Sequence, residues 1–144
     1  MRNEKGSTLL QLIVYMAGAI VLMLALSSAT VMYLRHIVKM QAKCEIERDY
    51  AVFNRFFIQD MKESTTSPSI EVNTVRFSGG TIIYESANQQ VTRNGVVILK
   101  NVESFSASST VVNTKTVITV DMRLRKQTIT LERENEYVYG RGYG

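Results

Sequence analysis

Cysteine, histidine and tryptophan are nearly missing from this chain of 144 residues, which has one Cys, one His and no Trp. The single Cys44 cannot form an intramolecular disulfide, and His36 has no second metal ligand at a suitable spacing, so we predict neither a metal site nor any other cofactor. Neither residue has a partner for a nucleophile and base pair, and no glycine cluster matches a phosphate-binding loop. We therefore predict no catalytic residues and no enzymatic activity.

Charge is absent from one long stretch, Leu9 to Leu34, although the whole chain carries 17 basic and 13 acidic residues and a net charge of +4. A helix over that stretch rises roughly 39 Å at 1.5 Å per residue, which exceeds the ~30 Å hydrocarbon core of a bilayer. The apolar part of a secretory signal peptide is shorter, ~7–15 residues. We predict a single membrane-spanning helix that stays in the mature protein.

The short polar segment before this helix has a recognisable form. Its junction, Lys5-Gly6-Ser7-Thr8-Leu9-Leu10-Gln11, resembles the processing site of type IV pilins and pseudopilins. The resemblance implies that a prepilin peptidase cuts between Gly6 and Ser7 and methylates the new N-terminus. It also implies other pilin-type subunits and an assembly machinery as partners. On this interpretation residues 1–6 are a leader, and residues 7–34 are a transmembrane and filament-core helix.

Two positions depart from the family pattern. The family usually has Phe or Met first and Glu fifth after the cut, whereas this chain has Ser7 and Gln11. The fifth-position carboxylate is thought to neutralise the terminal amine of a neighbouring subunit, and Gln11 can accept a hydrogen bond but carries no charge. We therefore hypothesise a minor pilin at or near the filament tip, with Gln11 as its assembly residue.

Residues 35–63 read as the amphipathic second half of the same helix, with a stop signal from Ser64 to Pro68. The expected helix runs from about Thr8 to Lys62, and Cys44 is expected on its buried stripe as a small apolar residue. The stripe itself comprises Ile37, Met40, Cys44, Ile46, Tyr50, Phe53, Phe57 and Met61.

Residues 64–144 change to a period of two, which predicts an antiparallel β-sheet. The Asn94-Gly95 pair is a strong hairpin signal, Gly79-Gly80 marks another turn, and Lys126-Gln127 a third. A sheet that lays its apolar face on the helical stripe gives an α+β, pilin-like fold. The expected strands are Val72 to Phe77, Thr81 to Glu85, Gln90 to Arg93, Val96 to Lys100, Ile118 to Leu124 and Thr128 to Glu132.

The second half also has a family resemblance. It is similar to the ComGF-like minor pseudopilins of competence pili in Gram-positive bacteria, and to the J-type minor pseudopilins of type II secretion. The resemblance implies a role in DNA uptake or in protein secretion. It rests on Asp60-Met61-Lys62-Glu63-Ser64, Val75-Arg76-Phe77, Ile82-Ile83-Tyr84, Arg93-Asn94-Gly95, the segment Leu99 to Phe105 and the Tyr/Gly-rich end.

Two other functions remain open. Arg123, Arg125 and Lys126, with Arg133, Arg141, Tyr137, Tyr139 and Tyr143, form a candidate weak DNA contact, although glutamates interleave with them. The chain could also be an uncleaved single-pass anchor with a small β-rich binding domain. The mass of the protein from its native host distinguishes such an anchor from a pilin, because only the pilin interpretation predicts loss of the leader.

The charges that flank the apolar stretch favour a different orientation from the leader motif. Arg35, Lys39, Lys43 and Arg48 follow it, against only two basic residues before it, and the positive-inside rule would place the C-terminal side in the cytoplasm. The leader motif is more specific and implies the opposite. We therefore expect a single-pass protein of the cell membrane, with an extracytoplasmic C-terminal domain, that later enters a cell-surface filament.

Overall fold

The structure is a computed structural model that describes residues 2–77 and 82–139, with side chains for all of these except 2, 3, 82 and 83. Four expected features lie outside the described residues: the Gly79-Gly80 turn, Arg141, Tyr143 and the glycine-rich end. The elements are α1 (Arg2–Glu63), β1 (Ser69–Glu71), β2 (Thr74–Phe77), β3 (Ile82–Ala87), β4 (Gln90–Arg93), β5 (Val96–Lys100), β6 (Val102–Val112), β7 (Lys115–Lys126) and β8 (Ile129–Tyr139). The expected α+β class, with a long apolar N-terminal helix and antiparallel strands, is confirmed.

Helix α1 begins earlier than the sequence predicts. It starts at Arg2 rather than near Thr8, so residues 2–6 of the predicted leader are helical. Glu4 lies in the first turn, where a carboxylate interacts favourably with the free backbone N–H groups. The predicted end is correct to within one residue, because α1 stops at Glu63 and the Ser64 amide donates to the Asp60 carbonyl at 2.9 Å.

The chain divides into two compact units, residues 1–40 and residues 41–144. The described part of the first unit is helix alone. The second unit contains the last part of α1, from Gln41, together with all the described strands. It is this second unit that has a hydrophobic core.

Helix α1 lays one side on the core of the second unit, as the stripe predicts. Ile46, Phe53, Phe57 and Met61 are buried on this side. Cys44 is not, and its predicted burial is wrong: the thiol side chain is exposed. A helix repeats every 3.6 residues, so the position one turn before Ile46 is Ala42, which is buried in its place.

The strands form two antiparallel sheets. The first has five strands in the order β1-β2-β3-β4-β5, and the second has three in the order β6-β7-β8. In the second sheet Ile118, Val120 and Met122 point inwards, and Asp121 and Arg123 point outwards, because neighbouring residues of a strand face opposite sides. Each sheet is thus a simple meander whose inward face contributes to the core, together with α1.

Tight turns with left-handed backbone join several strands. Asn94 and Gly95 connect β4 to β5 with φ angles of 52° and 81°, as the sequence predicts. The turns after β3 and β6 repeat this geometry, with positive φ at both central residues. They were not predicted, because their sequences are Asn88-Gln89 and Asn113-Thr114 and contain no glycine.

The first and last predicted strands were misplaced in part. Val72 lies in a turn and is 90% exposed, and β2 begins only at Thr74. The preceding strand β1 was missed, as was β6, which is rich in serine. The final strand continues to Tyr139, well beyond the predicted Glu132.

Aromatic rings join α1 to both sheets. Phe57 lies at the centre, with ring centroids 5.3 Å from Phe77 and 5.1 Å from Tyr84 in the first sheet, and 4.6 Å from Tyr137 in the second. Phe53 makes an edge contact with Phe105 at 6.4 Å. Tilted and edge-on ring pairs at these separations stabilise a core beyond the area that they bury.

Candidate functional site

The apolar surface of the first unit is the most unusual feature of the molecule. All residues from Leu9 to Leu34 are exposed, and large side chains such as Met23 and Leu24 expose 70% and 66% of their area. Within the described residues, α1 alone is long and apolar enough to cross a membrane, judged by length and composition. A continuous apolar surface of this size requires lipid or other apolar helices around it.

Two of the five hydroxyl groups in this segment bond to the helix itself. Ser28 Oγ donates to the Ala25 carbonyl at 2.9 Å, and Thr30 Oγ1 donates to the Leu26 carbonyl at 2.8 Å. Bonds of this kind remove the penalty for placing a free hydroxyl in hydrocarbon. At these two positions the segment is therefore chemically suited to an apolar environment.

The fold itself gives no reason for the glycines of the helix. A Cβ built on Gly6 or Gly18 would meet nothing within 4 Å among the described residues, other than the neighbouring helix backbone. Alanine would fit at both positions and would favour a helix. Any requirement for glycine at either position therefore has to come from a molecule outside this chain.

Ser7 and Gln11, the residues assigned to methylation and assembly, lie exposed on the helix. Thr8, between them, returns its hydroxyl to the carbonyls of Glu4 and Lys5, both at 3.0 Å. Among the described residues, the Gln11 side chain has no hydrogen-bond partner within the chain. Its amide is available to a group outside the molecule.

A buried carboxylate anchors the first sheet to the end of α1. Asp60 is 1% exposed, and Arg93 on β4 binds it with two hydrogen bonds, Nε to Oδ2 at 2.8 Å and Nη2 to Oδ1 at 2.7 Å. The Tyr84 hydroxyl donates to the same carboxylate. Arg93 also stacks over the Phe56 ring, with 5.3 Å from its Cζ to the centroid.

These contacts change the acidity of the partners. Burial, and then the hydrogen bond to Asp60, raise the pKa of Tyr84 well above its usual value near 10. The hydrogen bond to Asp60 raises the pKa of the Arg93 guanidinium, despite an opposing effect of burial. Both groups stay protonated over the physiological range, so their hydrogen bonds to Asp60 form a fixed structural link.

A second polar network ties α1 to β8. Tyr137 donates its hydroxyl to Asn54 Oδ1 at 2.5 Å, and the Asn135 side-chain amide donates to the Tyr50 hydroxyl. Burial raises the pKa of both tyrosines. No buried side-chain nitrogen or oxygen lacks a partner in the part of the chain that the structure describes. The network therefore stabilises the packing of α1 on the second sheet.

The three candidate DNA-contacting residues do not form one surface. Arg123 and Arg125 are on the outward face of β7, whereas Lys126 points to the side of the helix. Each is bound to a carboxylate: Arg123 to Glu132, Arg125 to Glu103 at 3.5 Å, and Lys126 to Glu45. The structure thus splits this set and gives every member an acidic partner.

Metal ligation finds no support among residues 2–77 and 82–139, where no group of three or more His, Cys, Asp or Glu side chains could hold an ion. Comparison with protein-family models, with curated proteins and with solved structures finds no significant match. The architecture is consistent with the pilin-like α+β arrangement that the N-terminal resemblance implies.

Proposed function

We propose that this protein is a structural minor subunit of a type IV pilin-like filament. One observation carries the proposal: the exposed, uncharged apolar part of α1 continues without interruption into a helical segment that packs one side into the core of a β-rich unit. The apolar half would lie in the membrane before assembly and against other helices in the filament. Exchange of lipid for helix contacts costs little, because both surroundings are apolar.

The leader supports this proposal independently of the apolar surface. Gly6 has free space around it, so its identity is better explained by a peptidase than by the fold. A residue without a Cβ lets the backbone open into an extended form for cleavage. In the proposal, a prepilin peptidase removes residues 1–6 and methylates Ser7.

Gln11 supports a minor subunit rather than an abundant one. It is exposed and has no partner in the described chain, so it can accept a hydrogen bond from a terminal amine, but it cannot neutralise that amine. A position at or near the tip has no neighbour above that needs the ion pair. If Gln11→Glu left tip incorporation unchanged and wild type filled the whole shaft, the minor role would be wrong.

Within pilus systems we propose a competence-type filament for DNA uptake, with a type II secretion filament as the alternative. The support is the resemblance of the second half of the chain, from Asp60 to the Tyr/Gly-rich end, to minor pseudopilins of those systems. A subunit can serve DNA uptake as a structural component without binding DNA itself. The pairing of Arg123, Arg125 and Lys126 with carboxylates favours this role over direct DNA binding. Deletion in the native host, with transformation and secretion assayed side by side, separates the two systems.

Intact mass measured after co-expression with a prepilin peptidase tests the proposal. Wild type is expected to lose Met1 to Gly6 and to gain one methyl group. Gly6→Ala should retain the leader, whereas the matched Gly18→Ala, which also adds one Cβ to an open helix position, should be processed normally. Retention of the wild-type leader, beside a peptidase that cuts a second substrate, would instead indicate an uncleaved single-pass anchor.

A further inference from the structure

The solvent side of α1 in the second unit carries a line of positive charge. Arg48, Arg55 and Lys62 are spaced by seven residues, so they lie above one another, opposite the buried Phe53 and Phe57. All three are exposed, and the only ion pair among them is a 3.6 Å contact of Arg48 with Asp49. We call these three residues the basic helix line. Its exposed neighbours on this side are Cys44, Ala51, Val52, Ile58 and Gln59, and the nearby Glu63 carboxylate accepts a hydrogen bond from Gln59 Nε2 at 2.9 Å.

The outward face of the second sheet carries more acidic than basic side chains, because Arg123 and Arg125 there are bound to Glu132 and Glu103 and three further carboxylates lie beside them. Asp121, Glu134 and Glu136 are exposed there, and no cation lies within ion-pair distance of them among the described residues. Asp121 lies directly opposite Glu134 in the β7–β8 register. Like charges in that relation destabilise a sheet, so the arrangement is unfavourable in an isolated molecule. We call these three residues the acidic sheet row.

The two surfaces lie on opposite sides of the second unit. Helix α1 packs on the inward face of the second sheet through contacts such as Asn54 with Tyr137, which leaves the basic helix line on one side and the acidic sheet row on the other. A molecule with complementary surfaces on opposite sides can associate head to tail. A contact of this kind joins one copy to the next and differs from the self-complementary contact of a twofold dimer.

The direction of the elements also fits. Residues further along α1 contact residues further along β8: Glu47 contacts Arg133, and Asn54 contacts Tyr137. The helix and β8 therefore run parallel. Two copies in the same orientation would align the basic helix line of one with the acidic sheet row of the next. The line is about 21 Å long and the row about 7 Å, so the row fits within the line.

We infer that the acidic sheet row binds the basic helix line of a second copy of this chain, in a head-to-tail contact. Arg55 lies at the middle of the line and approaches Glu134, where its guanidinium also relieves the repulsion between Glu134 and Asp121. The inference uses only residues 41–139. It does not depend on cleavage or on membrane insertion, so it can fail while the proposed function holds.

Sedimentation velocity of the full chain in detergent tests the contact. Because exposed charges are screened by salt, the association constant should fall at least about tenfold between about 20 mM and 500 mM salt. Arg55→Glu and Glu134→Lys should each lower it by a similar factor at low salt. Lys100→Glu and Glu85→Lys are matched controls, because they make the same charge changes on exposed residues of the first sheet and should leave association unchanged.

Mixing the two variants gives the decisive result. Arg55→Glu keeps an intact acidic row and Glu134→Lys keeps an intact basic line, and the reversed charges of the two variants also complement each other, so an equimolar mixture should recover association that neither variant shows alone. The melting temperature of Glu134→Lys should not fall, since the new lysine faces Asp121, and this excludes misfolding as the cause. The inference is overturned if the reversals weaken association no more than their controls, or if the mixture associates no better than either variant alone.

Discussion

The two halves of α1 have similar helix geometry and opposite surroundings. From Leu9 to Leu34 the apolar side chains cover every side and all are exposed, whereas from Gln41 to Glu63 they are confined largely to one side that is buried in the β-rich unit. The difference lies in where polar residues occur and not in helix propensity. A helix that is apolar all round needs an apolar medium, and an amphipathic one needs a partner surface. One continuous helix therefore combines a segment long and apolar enough to cross a membrane with a segment that packs in the β-rich unit.

Truncation of a side chain in each half should give the largest contrast. Phe57→Ala empties the centre of the ring cluster and is expected to lower the free energy of unfolding of the second unit by about 3–5 kcal/mol. Leu22→Ala, at a side chain that is 65% exposed, should change it by less than about 0.5 kcal/mol. Denaturant titration of the full chain in detergent measures both. Equal losses would contradict the assignment of the core to the second unit alone.

A charge placed in each half should separate membrane insertion from folding. Leu22→Arg is expected to oppose insertion by about 2.5–3.5 kcal/mol, because arginine is costly near the centre of a bilayer. Val52→Arg, on the solvent side of the amphipathic half, should leave insertion unchanged. Carbonate extraction of membranes that contain each variant provides the measurement. Normal membrane insertion of Leu22→Arg, together with failed insertion of Val52→Arg, would contradict this assignment of the two halves.

The buried ion pair offers a smaller effect within the second half. Arg93→Met leaves the Asp60 carboxylate buried without its cation, and we expect a loss of about 2–3 kcal/mol in unfolding free energy. Arg76→Met is the matched control, since it removes an exposed pair with Glu71 at 3.7 Å that should contribute less than about 1 kcal/mol. The same denaturant titration distinguishes them. Equal losses of unfolding free energy in the two variants would mean that burying Asp60 without Arg93 costs no more than losing an exposed ion pair.

Alkaline pH should weaken the second unit gradually. The folded state holds the Tyr84 proton to higher pH than the unfolded chain, so this stabilising effect is complete below about pH 10 and is lost as pH rises further. Tyr84→Phe removes that proton and should flatten the decline of unfolding free energy between about pH 10 and 11. An unchanged slope in Tyr84→Phe would assign the decline to other groups.

Local patterns predicted much of this fold. The uncharged stretch, the amphipathic stripe and the stop near Pro68 predicted the helix, and Asn94-Gly95 predicted its hairpin. Strand β6 was missed because serine has no strong preference for strands, and its place depends on pairing with β7. The turn at Asn113-Thr114 was missed because threonine is rare at a φ of 67°.

The candidate site was predictable only where its chemistry is local. Gly6, Ser7 and Gln11 lie within six residues of one another, so they can be recognised as one sequence motif. The bond between Asp60 and Arg93 joins residues far apart in sequence, and nothing in the local pattern of either residue signals the other. The separation of Lys126 from Arg123 and Arg125 has a simpler origin, because adjacent strand residues face opposite sides and a cluster in sequence is divided in space.

Hydrogen exchange of the full chain in lipid nanodiscs tests the contrast between the two halves of α1 most directly. The account predicts that amides from Leu9 to Leu34 exchange slowly in nanodiscs, because the bilayer excludes water from their hydrogen bonds, and that Phe57→Ala leaves their rates unchanged. Amides from Gln41 to Glu63 should exchange at least about tenfold faster in Phe57→Ala than in wild type, since packing in the β-rich unit protects them. Equal acceleration of both halves in Phe57→Ala, or fast exchange of Leu9 to Leu34 in nanodiscs, would contradict the account.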